Sequence, residues 1–202
     1  MHNPFVRFLC VVLTAVGLAG CAATSAQNPG GALSPVNAPA EGRMAGVMLK
    51  GADLVAYFAQ NKYLQGNAGI VTHYEGVTFW FSSAENKALF DKAPMTYQPQ
   101  YGGFCANGIN YGIPWGGDAD TSRMVGGKLY IFGGSGSRDA FMLDEPRNIQ
   151  LADKFWAEEV AGSNSLTQRS KRLINRVPHY QSGSQLAKAV ADAKAQGKFP
   201  AP

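Results

Sequence analysis

The stretch Y-Q-P-Q-Y-G-G-F-C at residues 97–105 decides how this chain is read, together with two segments that precede it, G-A-D-L-V-A-Y-F at 51–58 and H-Y-E-G-V-T-F-W-F-S-S at 73–83. Gly102 and Gly103 permit backbone angles and a close chain approach that a side chain would block. Tyr101 and Phe104 flank the pair, so a bend here carries aromatic rings inward. Cys105 follows immediately.

Working outward, Asp53 can cap a short helix in which Leu54, Val55, Tyr57 and Phe58 form an apolar face. Residues 61–69 turn the chain. Residues 71–74 and 77–82 are β-branched or aromatic and are separated by Glu75-Gly76, which reads as a hairpin. Ser82 or Ser83 then caps a helix through Phe90 with Ala84, Ala88 and Leu89 on its packing side, and Pro94 lies just past its end. Residues 107–120 form a Gly-rich loop with Tyr111, Trp115, Asp118 and Asp120, of the length used for ligand contact or for a packed omega loop. A second hairpin pairs 124–125 with 128–132 across Gly126-Gly127, and helices are expected over 137–143 and 149–160. No internal repeat of fixed period is evident. The reading is an α+β fold: a small antiparallel sheet of two hairpins packed with short helices, plus a helical, basic C-terminal tail.

The chain has 202 residues, 46% hydrophobic and 16% charged, with net charge +4. That composition supports one packed domain with appendages. The charge is uneven: residues 163–202 hold Arg169, Lys171, Arg172, Arg176, Lys188, Lys194 and Lys198 against Asp192. Its basic face can lie on anionic lipid or stay solvated.

At the N-terminus, Arg7 precedes an apolar run over 8–18 that is shorter than a bilayer span. Leu18-Ala19-Gly20-Cys21 then resembles the lipobox of bacterial lipoproteins. The resemblance implies cleavage before Cys21, lipidation of that cysteine and, with Ala22 next, a protein on the periplasmic face of the outer membrane. The expected organisation is a signal peptide over 1–20, a lipidated cysteine and tether over 21–46, a domain over 47–161 and a basic helical extension over 162–202. After processing, Cys105 is the one free thiol, so no internal disulfide is expected.

D-L-V-A-Y-F at 53–58, the block over 73–106 and G-G-K-L-Y-I-F at 126–132 together resemble the YHS-domain family, in the periplasmic branch that carries Y-G-G-x-C-A. The resemblance covers residues 50–160 and implies a compact α+β fold, with metal handling among some members. Metal-associated relatives carry one cysteine in D-P-V-C-G-M and two in F-C-S-x-x-C. This chain has Ala56 in the first block, and F-S-S-A-E-N at 81–86 in the second, so all three thiolates are missing. Thiolate supplies the affinity for Cu(I) and Zn(II), and Ala, Ser and Asn do not replace it.

Cys105 with His73, and Met95 if the fold brings it near, is the remaining candidate for copper or zinc. Asp53, Tyr57, Tyr101 and Trp115 are candidate ligand contacts. Each has a structural alternative: Asp53 as a helix cap, Cys105 as a small buried hydrophobe, His73 as a surface or hydrogen-bonded residue, Met95 as packing. Cys105 and His73 could be drawn as a nucleophile and base, but no orienting group or oxyanion donor is apparent. H-E-x-x-H, a P-loop, G-x-S-x-G and a dinucleotide fingerprint are all absent. Nucleic-acid binding is not expected of a tethered, exported chain whose basic charge sits in its tail. The expectation is a lipid-anchored binding module for a metal or small ligand, or else a structural lipoprotein that docks another envelope protein.

Overall fold

The computed structural model describes residue 33 and residues 35–39 and 42–200. Cys21 and the expected signal peptide lie outside the described residues, as does most of the expected tether. Among the described residues the fold is α+β, with seven α-helices and two separate two-stranded antiparallel sheets.

The chain enters through a left-handed turn at Leu49, Lys50 and Gly51, with φ of 45°, 54° and 83°. Helix α1 (Leu54–Gln60) follows, then β1 (Asn67–Tyr74), β2 (Val77–Phe81) and α2 (Ala84–Lys92). A second left-handed turn at Tyr101, Gly102 and Gly103 has φ of 55°, 58° and 77°. It leads into α3 (Ala106–Ile109), β3 (Asp118–Val125), β4 (Lys128–Phe132) and α4 (Ser135–Met142). Helix α5 (Glu145–Phe155) continues into a π-turn at Trp156–Val160. Helices α6 (Ser165–Ile174) and α7 (Gly183–Ala195) complete the order.

These two runs are the same structural unit used twice, a duplication whose period is not fixed. In the first hairpin Asn67 pairs with Phe81 and, after a register shift, Val71 pairs with Trp80. In the second, Asp118 pairs with Phe132 and, after the same shift, Ser122 pairs with Ile131, each residue 51 positions further on. Both hairpins turn on two residues with positive φ, Glu75-Gly76 and Gly126-Gly127, the geometry that matches strand twist in a two-residue loop. The Asp53 amide donates to the Leu64 carbonyl at 2.9 Å, and the Cys105 amide donates to that of Trp115 at 2.9 Å. Phe90 and Phe141, again 51 apart, are buried on α2 and α4. The turns are 52 apart and the hairpins 51, so one residue has slipped between them and the period is not constant.

β4 lies between two apolar clusters and feeds both, because successive strand residues point to opposite faces. Leu129 and Ile131 join Leu54, Val55, Phe79, Phe81 and Phe90; Tyr130 and Phe132 join Phe104, Ile109 and Phe141. On α2 it is Asn86 and Phe90 that are buried, whereas Leu89, expected on the packing side, is 45% exposed. The first part of the expected long loop is helix α3, and its end is already strand β3.

The stretch expected to be tether contributes to the fold. Val36 and Ala38 are buried in the first cluster, and Asn37 clasps both left-handed turns. Its amide donates to the Gly102 carbonyl at 2.9 Å, and its carbonyl accepts from Leu49 at 2.9 Å. Its side-chain Nδ2 donates to the carbonyls of Gly103 at 3.0 Å and Gly117 at 2.9 Å. A Cβ at Gly102 would stand 2.2 Å from the Pro35 carbonyl oxygen, so the turn needs glycine both for its φ and for this approach.

The basic extension also docks onto the domain. Glu159 accepts from Lys171 and Arg172, Lys194 donates to Asp139 at 2.6 Å, and Gln168 donates to the Gly112 carbonyl at 2.9 Å. Val177 packs with Tyr111 and Ile113 in a third, small cluster.

Candidate functional site

Asp53 and Cys105 occupy the same place in the two units, immediately ahead of α1 and α3. Asp53 is fully buried and all its bonding capacity is used. One oxygen accepts from the amides of Val55 (3.0 Å) and Ala56 (3.3 Å), capping α1. The other accepts from the Ser82 amide (2.8 Å), the Ser82 hydroxyl (2.6 Å) and Asn86 Nδ2 (2.7 Å). This carboxylate ties a helix N-terminus to the end of β2 and to α2; it is a structural knot.

Cys105 is 3% exposed, and its Sγ lies 3.0 Å from the Ser137 hydroxyl. Ser137 stands 51 positions after Asn86, so thiol and hydroxyl repeat the pair that carboxylate and amide form in the first unit. Here the pair borders a groove of about 580 Å³. Helix α3 and the glycine-rich ends of β4 and α4 form its floor, and the extension around Tyr180, Leu186 and Val190 forms its roof. Trp115, 42% exposed, lines the same groove. Asp139 and Lys194 also line it; burial acts to raise the Asp139 pKa, but the hydrogen bonds from Lys194 and Arg138 outweigh it and hold the carboxyl below its ordinary value.

A second, polar lobe of about 300 Å³ adjoins this groove, sharing Asn107, Gln181 and Leu186 with it. Its amides have fixed orientations. Asn148 Nδ2 donates to the Phe141 carbonyl at 2.8 Å, which turns Asn148 Oδ1 toward Asn110 to accept from its Nδ2 at 3.0 Å. Asn110 Oδ1 is left buried with no partner among the described residues. An unmet buried carbonyl costs about 1–3 kcal/mol. His179 Nε2 stands 3.0 Å from the Asn110 backbone carbonyl, which can only accept, so Nε2 carries the proton.

The other sequence candidates do not converge. The Tyr57 hydroxyl donates to the Ala119 carbonyl at 2.5 Å, and burial pushes its pKa up. The Tyr101 hydroxyl donates to Asp153 at 2.8 Å; burial first, and that carboxylate second, raise its pKa. Both phenols are therefore held protonated as structural donors. His73 is exposed on β1 with its Nδ1 3.0 Å from the Thr78 hydroxyl, and it is not among the residues lining the Cys105 groove. Met95 is 59% exposed. The structure thus joins Cys105 with Trp115 and leaves Asp53, Tyr57, Tyr101 and His73 elsewhere. Among the described residues no three His, Cys, Asp or Glu side chains gather as a metal-ligand set. One thiol beside a hydroxyl does not fit a copper or zinc centre.

Sequence reasoning missed Ser137, Asn107, Asn110 and the roof. The signal for Ser137 was available: F-G-G-S-G-S at 132–137 laid over F-S-S-A-E-N at 81–86 puts Ser137 under Asn86. Compared with known proteins, the chain matches no family model, no curated protein and no solved structure.

Proposed function

We propose that this protein is a lipid-anchored binding module of YHS-domain type, held at Cys21 on the periplasmic face of the outer membrane, whose small ligand enters the groove beside Cys105. The observation that carries the reading is the contrast between equivalent positions. The first unit seals its helix-capping site with a fully bonded carboxylate, whereas the second puts a thiol and a hydroxyl on the wall of a groove that also exposes an indole. Concave sites with a few polar groups and an exposed aromatic are where small ligands bind. The anchor rests on the charge, apolar run and lipobox-like Leu18-Ala19-Gly20-Cys21 of the N-terminus. No described helix is long and apolar enough to cross a membrane.

Thiol-reagent kinetics on the full chain, with Cu(I) and Zn(II) titrations of wild type and Cys105→Ser, test the reading. Native-state modification of Cys105 within minutes supports an open groove. A thiol that reacts only on unfolding overturns it. Stoichiometric metal binding lost in Cys105→Ser would make the ligand a metal.

A second reading has its own support. Leu173 and Ile174, adjacent on α6, are 72% and 81% exposed, a small apolar surface of the kind that docks another envelope protein.

A further inference from the structure

The polar lobe and the Cys105 groove meet at Asn107, a residue only 4% exposed that lines both and whose side-chain amide forms no hydrogen bond among the described residues. Next to it, Asn110 is 2% exposed and its Oδ1 is unpartnered. The Phe141–Asn148–Asn110 chain of bonds fixes that oxygen as an acceptor, since reversing either amide would set two carbonyls or two NH2 groups against each other. His179 adds to this when neutral: with its proton on Nε2 facing the Asn110 carbonyl, Nδ1 remains an acceptor. A wall rich in acceptors calls for a ligand rich in donors.

The charge on the walls narrows the class. In the polar lobe the charged residues are Asp144 and Arg147, both exposed at the rim; in the larger groove Asp139 and Lys194 neutralise each other. The floor is made of neutral amides and hydroxyls, so an ionic ligand would lose its hydration there without a buried counter-charge. Hydroxyl groups donate and accept at the same atom, as the free amides of Asn107 and Gln181 do between their two ends. Trp115 and Tyr180 add aromatic surface in the larger groove, against which the C–H face of a pyranose ring can lie. The two lobes together exceed the space one small polar molecule fills.

From this we infer that the joined groove binds a neutral saccharide of more than one ring, with hydroxyls donating to Asn110 Oδ1, Asn107 bridging the two lobes and Trp115 stacking on a sugar face. The inference rests on the groove being the binding site and specifies what enters it.

The test is calorimetric titration of the full chain with maltotriose and with triacetylchitotriose, using glycine and acetate as zwitterionic and anionic controls. At least one trisaccharide is expected to saturate while the controls do not. Asn110→Leu and Trp115→Ala are each expected to weaken binding roughly tenfold or more, the scale of a lost hydrogen bond or stacking contact. Trp115 is half exposed, so its variant keeps the test valid if Asn110→Leu folds poorly. Binding of neither trisaccharide to a protein whose Cys105 reacts in the native state overturns the saccharide while leaving the groove. Saccharide binding indifferent to both variants, or a preference for glycine or acetate, overturns it as well. A Cys105 closed to reagent in the native state removes the groove itself and is read separately.

Discussion

At position 53 and at position 105 the chain leaves a left-handed turn, pairs its amide with the carbonyl that precedes the next hairpin, and starts a short helix. Up to that point the two halves are the same object. They part in what the side chain does. Asp53 gathers five hydrogen bonds that tie α1 to α2 and to the end of β2, while Cys105 has the Ser137 hydroxyl beside it and borders a groove. A duplicated scaffold has thus kept one copy for stability and left the other open. The cost of a substitution should depend on which copy it strikes only at these positions, not in the shared core.

The comparison can be broken first in that core. Phe81→Ala and Phe132→Ala remove equivalent buried rings, and each should cost about 3–5 kcal/mol in urea unfolding. Because β4 serves both clusters, either change should lower one common transition; two separate transitions would mean that the units are independent. Next comes the contrast itself. Asp53→Ala strands the Ser82 and Asn86 donors and uncaps α1, for an expected loss of about 3 kcal/mol. Cys105→Ala removes one sulfur beside a cavity and should cost less than about 1 kcal/mol. Equal losses would erase the distinction between sealed and open copies. A third variant probes what joins the halves: Asn37→Ala deletes two side-chain bonds and should cost about 1–2 kcal/mol, lowering the common transition without splitting it.

The smallest effect concerns the roof over the open copy. Asp139 has a folded pKa below its ordinary 3.8. Its pairing with Lys194 therefore stabilises the docked α7 fully above that ordinary value, and the contribution is lost as pH falls through the folded pKa. Amide exchange in α7 should quicken below about pH 4 relative to β4, and Asp139→Asn should show the fast rate already at pH 6.

Much of the scaffold was legible because it is written in local rules. Glu75-Gly76 and Gly126-Gly127 announce the hairpins, Ser83 and Asp53 act as caps, and the Tyr101-Gly102-Gly103 bend carries its rings inward. The duplication was hidden because the two copies share geometry more than residues. Gly51 and Gly103, Gly66 and Gly117, Phe81 and Phe132, and Phe90 and Phe141 match, but Asp53 faces Cys105, Trp80 faces Ile131, and one residue is lost between turn and hairpin. The groove was illegible for another reason. Its roof comes from residues 179–194, whose polar and basic composition reads equally as a solvated tail, and the Lys194–Asp139 pair that docks α7 spans 55 positions. The role of 35–39 was concealed by Pro, Ala and Asn, residues that suit a tether and a tight clasp alike.

The Asn37 clasp also sets an order of events. Its two side-chain bonds reach carbonyls 66 and 80 residues away, both in the second unit, while its backbone carbonyl holds Leu49 in the first. Loop closure over such distances adds entropy cost without local contacts to offset it. The segment 35–39 is therefore expected to dock late in folding and to leave early, with faster amide exchange at Asn37 than in β4 as the check. Released at the amino end, this protein would lose the seam between its copies before it lost either copy.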